Sequence, residues 1–106
     1  MIEMKRSAPG TYGLWEDGQL VAECHFEVAG DALVILRIDR HRALDGDIHD
    51  MLLRAVTSYA MASCPTRVIC RNPDLFAPLT ALRFVAVEDR VESTPEEVLR
   101  HLCPGQ

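Results

Sequence analysis

The chain has 106 residues, 48% of them hydrophobic and 25% charged, with 11 Lys and Arg against 16 Asp and Glu for a formal charge of −5. That length allows one domain, and the composition is that of an ordinary globular protein able to bury roughly two-thirds of its unfolded surface. The acidic balance, with Lys5 the sole lysine, argues against nucleic acid or an anionic membrane as partner, since both reward clustered Lys and Arg.

Residues 1–6 lack the apolar stretch of a signal peptide, and no window approaches a membrane span, so a cytoplasmic protein is expected. There Cys24, Cys64, Cys70 and Cys103 stay reduced. None forms a C-x-x-C pair, so zinc-knuckle and redox motifs have no support. Cys24, Cys64 and Cys70 read as buried structural thiols, and Cys103 as an exposed one.

In chain order, residues 1–10 read as a mixed lead-in ending in the breaker cluster Ala8-Pro9-Gly10. A strand at 11–16 precedes Asp17-Gly18, a pair that favours a tight hairpin turn. Residues 19–28 alternate, with Leu20, Ala22, Cys24, Phe26 and Val28 on one face and Val21, Glu23, His25 and Glu27 on the other. After a turn at 29–31, residues 32–38 (ALVILRI) are nearly all apolar, as in a central strand covered on both sides. The charged turn at 40–46 leads into a long amphipathic helix over 47–63, ended by Pro65. Ile48, Leu52, Ala55, Val56, Tyr59, Ala62 and Ser63 fall near its apolar face, with Met51 and Ala60 beside them and Asp50, Arg54, Thr57 and Ser58 away from it. Asp45 or Asp47 caps its start, where acids suit the helix dipole. A short strand (66–70), a proline-interrupted helix (74–82), a closing strand (84–87) and a capped terminal helix (95–102) complete the order. The fold class is α/β with a mixed sheet: a β-meander, then β-α-β-α-β and a short C-terminal helix.

His41, Asp45, Asp47, His49 and Asp50 crowd one turn, but their spacing fits neither an EF-hand loop nor an H-E-x-x-H helix. A solvated, helix-capping turn is the better reading, and no metal is expected there. His25 adjoins Cys24, but neighbours on a strand point to opposite faces, which excludes a dyad. Tyr12, Trp15 and Phe26 read as core or as pocket lining. Glu23 and Glu27 share a face with His25 and read as an exposed polar surface or a base in an acceptor groove.

The order of elements resembles the core of the GNAT superfamily of N-acetyltransferases over residues 18–88. The most specific match runs from Asn72 to Phe84: an Asn after the fifth strand, a short helix, then Phe at the head of the next strand, with Leu82 in the apolar place before it. The resemblance implies an acyl-CoA cofactor, acetyl-CoA among others. It places Ile38, Arg40, Arg42, Asp45, Gly46, Asp47 and Asn72 as candidate cofactor-binding residues. The family's phosphate turn, R/Q-x-x-G-x-G/A, is not reproduced. Counting back from Leu52-Leu53 puts Leu44, Asp47 and His49 in those places, and the register on Gly46 substitutes Ala43 and Ile48. Leu79 stands where the family commonly keeps a Tyr general acid, and Arg83 where it keeps Gly. The chain is too short for the family's usual first strand and the two helices that shape the acceptor site. Two functions follow: a degenerate GNAT-like domain binding a partner, a second copy or a small ligand without cofactor, or a minimal acyl-CoA-dependent N-acetyltransferase. The uncovered sheet surface left by the missing helices points to a homodimer.

Overall fold

The computed structural model describes residues 2–43 and 47–100. Four antiparallel strands open the chain: β1 (Ile2–Ala8), β2 (Thr11–Glu16), β3 (Gln19–Ala29) and β4 (Ala32–Arg40). Helix α1 (Ile48–Ala60) then connects β4 to β5 (Arg67–Cys70), which lies parallel to it. A 3-10 turn (Pro73–Leu75) and α2 (Phe76–Ala81) lead to β6 (Val85–Val87), β7 (Arg90–Ser93) and α3 (Pro95–Arg100). One seven-stranded mixed sheet results, in the order β1-β2-β3-β4-β5-β7-β6. No helix among the described residues is long and apolar enough to cross a membrane.

The core occupies one face of this sheet. Leu14, Ala22, Cys24, Leu33, Ile35, Val68 and Cys70 project from β2 to β5 against Ile48, Leu52, Leu53, Val56 and Ala60 of α1. Leu75, Leu79, Phe84, Val91 and Val98 extend the same cluster under the later elements. On the opposite face, Ala32, Val34 and Ile69 form a small buried apolar cluster. By strand register that face also presents Thr11, Glu23, His25, Glu27, Arg37 and Asp39.

Four expectations need correction. Residues 2–8 are a strand, not a lead-in, so the position of the family's first strand is filled and joins β2 through a hairpin at Pro9-Gly10. Every residue of β1 is exposed, so burial leaves no one-sided apolar pattern to read. The sheet also gains β7, whose single buried apolar residue, Val91, is too faint a signal. Third, the buried stripe of α1 is Ile48, Leu52, Leu53, Val56, Thr57 and Ala60. Tyr59 lies at its margin, 43% exposed, with its ring beside Tyr12 and Phe26 and its hydroxyl accepting from Arg6 Nη1 at 2.6 Å. The α-helix ends at Ala60, and the following 3-10 turn (Met61–Ser63) carries Ala62 and Ser63 out to solvent. Fourth, Cys64 is exposed, in the left-handed conformation just beyond that turn. Cys103, Asp45, Gly46, Leu44 and the end of the terminal helix lie outside the described residues.

Candidate functional site

Two places bring chemistry-bearing residues together. The first is where β4 and β5 diverge. Their ladder holds from Ala32↔Arg67 to Ile35↔Cys70 and ends there. The next residue, Leu36, is a bulge: Phe26 faces Ile35 while His25 faces Arg37, leaving Leu36 unmatched. Asn72 spans the opening. Its Nδ2 donates to the Leu36 carbonyl at 3.1 Å, and its Oδ1 accepts from the Asp74 N–H at 3.0 Å, capping the 3-10 turn.

The N-terminus of α1 stands after β4 in the chain. Its first N–H groups would suit an anion, but the Asp47 carboxylate already accepts from His49 N at 3.0 Å and Asp50 N at 3.3 Å. The cap is therefore a residue of the crowded turn itself. Arg42 is exposed and its guanidinium donates to Gln19 on β3, while Arg40 is exposed at the end of β4. Ile38 is half-buried and packs on the core. Of the seven candidates, Ile38, Arg40 and Asn72 thus share the β4 end and its opening. Arg42 turns toward the β2–β3 hairpin, and Asp47 closes the helix end.

At the position of the family's Tyr, Leu79 is fully buried in the core, without a titratable proton or access to solvent. Arg83 takes φ +75° where the family keeps Gly, a left-handed backbone that favours glycine.

The second place is the polar face of β3 and β4. Cys24 is buried in the core and His25 projects from the other side, so the two are apart as the strand geometry required. His25 Nε2 lies 3.0 Å from Asp39 Oδ2, and its Nδ1 lies 3.2 Å from the Thr11 hydroxyl. His41 Nε2 lies 3.1 Å from Glu23 Oε1. Partial burial of Asp39 raises its pKa. The hydrogen bond and charge of Arg37, then those of His25, outweigh this and leave the carboxyl below its ordinary value. The sequence points to Glu23 and His25 on one strand face and to His41 within the crowded turn, but not to Thr11 or Asp39, nor to His41 joining this face. The available signal was a pair of i, i+2 motifs, Glu23-x-His25 and Asp39-x-His41, on strands that the meander makes neighbours.

No family model and no curated protein matches this sequence. Solved structures do match. The AtaT Y144F mutant toxin bound to the C-terminus of the antitoxin AtaR superposes with a TM-score of 0.64 at 12% identity, over 91% of this chain and 72% of that one. AtaTR bound with AcCoA gives 0.63 at 12% identity, over 88% and 71%. The PaiA N-acetyltransferase from Thermoplasma acidophilum, in complex with coenzyme A, gives 0.65 at 14% identity, over 79% and 59%. Strand order, the parallel β4–β5 pair joined by α1, and these superpositions agree: this chain has a GNAT-like fold.

Proposed function

We propose that this domain is a degenerate GNAT-like protein, weak or inactive in acyl transfer, that serves as a small binding protein and associates with a second copy of itself. The observation that carries the reading is the Asp47 cap. Its carboxylate bonds the N–H groups of His49 and Asp50, which an incoming pyrophosphate would need. A carboxylate within about 4 Å of a phosphate charge costs on the order of 4 kcal/mol at an effective dielectric near 20, or roughly a thousandfold in affinity. Leu79 in place of the expected Tyr removes a general acid, a further loss of ~10² to 10⁴ in rate. The complex of AtaT with a segment of AtaR supports a protein-binding role for the fold.

One observation favours the alternative, a minimal N-acetyltransferase acting on an amine. The opening between β4 and β5, with Asn72 at its mouth, is retained. The complexes of neighbouring structures with AcCoA and with coenzyme A support the same reading.

Calorimetric titration with acetyl-CoA at matched salt separates the two. The wild type should bind weakly or not at all, and Asp47→Gly/His49→Gly should gain part of the affinity. Micromolar binding by the wild type would restore the enzyme. An intact variant with no gain would remove the anion cradle from the α1 terminus.

A further inference from the structure

We infer that Glu23, His25 and Asp39, with His41 beside them, form a binding site for a divalent transition-metal ion on the open face of the sheet. The site is distinct from the α1 terminus and does not depend on the reading given for it.

The strand register gathers two carboxylates and two imidazoles on one face of the sheet. Glu23 and Asp39 are directly opposite each other on β3 and β4 and project from the same face. Like charges so placed repel. One donor atom from each of Glu23, His25 and Asp39 lies within 4.8 Å of the others. For metal bonds of about 2.0 to 2.1 Å, tetrahedral ligands stand roughly 3.3 Å apart, so side-chain rotation suffices to close the set. His41 lies just outside this set, its Nε2 being 3.1 Å from Glu23 Oε1, and a shift toward the ion would make it a fourth donor. The backbone holds His41 in place, since its N–H donates to the Val21 carbonyl at 2.7 Å and continues the β3–β4 ladder.

A ligating histidine works as a neutral ring, with its second nitrogen anchored by a neighbour. Thr11 provides that anchor. It is 8% exposed, and its hydroxyl lies 3.2 Å from His25 Nδ1. When an ion displaces the Nε2 proton that His25 shares with Asp39, the Nδ1 proton would be donated to Thr11 and the Nε2 lone pair would face the carboxylates, where the ion would sit. Arg37 Nε donates to Asp39 Oδ2, but a carboxylate has a second oxygen, and Arg37 is 61% exposed and able to swing aside. Imidazole with carboxylate suits Zn²⁺, Co²⁺ or Ni²⁺; Mg²⁺ and Ca²⁺ prefer oxygen donors alone.

The test uses the full chain, stripped of metal and titrated calorimetrically with ZnCl2, then with CoCl2 followed by absorption. One Zn²⁺ should bind per chain, with MgCl2 giving no comparable heat. Co²⁺ should show visible d–d bands without the near-ultraviolet band of a thiolate ligand. His25→Ala and the isosteric Glu23→Gln should each weaken Zn²⁺ by more than the roughly 10- to 100-fold typical of outer-shell losses, and Thr11→Val by an amount within that range. Circular dichroism establishes that each variant is folded, and Glu23→Gln preserves shape should His25→Ala fail to fold. Absence of one-to-one Zn²⁺ binding overturns the site. So does a thiolate band, which would assign the ion to cysteine, or affinity unchanged in both His25→Ala and Glu23→Gln.

Discussion

Leu52 and Thr57 share the buried stripe of α1, yet replacing them should move stability in opposite directions. Leu52 is fully buried among sheet side chains, so Leu52→Ala leaves a cavity and should cost ~2 to 5 kcal/mol by urea denaturation. A loss below ~1 kcal/mol would place Leu52 at the surface. Thr57 is equally buried, but among the described residues its hydroxyl has no hydrogen-bond partner. Thr57→Val keeps the shape and removes the desolvated oxygen, so a gain of about 1 kcal/mol is expected. Cys24 supplies a pH signature. Burial, and to a lesser degree the neighbouring Cys70, push its thiol from 9.0 to about 12. The folded pKa exceeds the unfolded one, so the contribution is complete below pH 9 and is lost as pH rises toward 12. The denaturation midpoint of the wild type should therefore fall more steeply above pH 9 than that of Cys24→Ala. Parallel curves would contradict the burial of this thiol.

At the scale of elements, burial decided what was legible. The apolar run of β4 and the periodicity of α1 identified both, because each buries a face and so leaves a repeating signature in the sequence. Thr57 was misplaced because a threonine reads as polar while the geometry of the stripe puts it inside. Of the polar quartet, Asp39 did not stand out, and His41 stood out only as part of the crowded turn. The quartet's two motifs are separated by a turn and gain meaning only from the register that sets Glu23 opposite Asp39. Of the β1–β2 hairpin, the sequence shows β2 and the turn but not β1, and one residue in that turn bears heavily on the pairing. Gly10 has φ +73°, and a Cβ there would come 2.9 Å from the Phe26 carbonyl oxygen. The Gly10 carbonyl also accepts from Phe26 N at 2.9 Å, fastening the turn to β3. Gly10→Ala should cost more than ~1 kcal/mol, read as a lowered urea midpoint. An unchanged midpoint would show that the turn relaxes freely.

For the whole molecule, helices gather on one side of the sheet while the other side keeps a polar surface around a small apolar patch. The sheet ends in β1 and β6 as outer strands, with Ile2, Met4 and Val85 exposed on them. Unprotected edges and apolar side chains of this kind favour pairing. Sedimentation equilibrium should accordingly give the mass of two chains, and salt should tighten the pair, because copies each carrying −5 repel through solvent. A monomer at high protein concentration would dispose of the dimer.

The unmatched residue in β4 makes that strand tolerant of a particular loss. Ile35 and Ile38 face the helices while Arg37 and Asp39 face away, so removing Leu36 would leave every remaining side chain on its present face. The chain would shorten by one residue while its in–out alternation continued across the join. Bulge and alternation are thus separately encoded in β4. The bulge is a removable insertion, which sequence change can delete without rewriting the core.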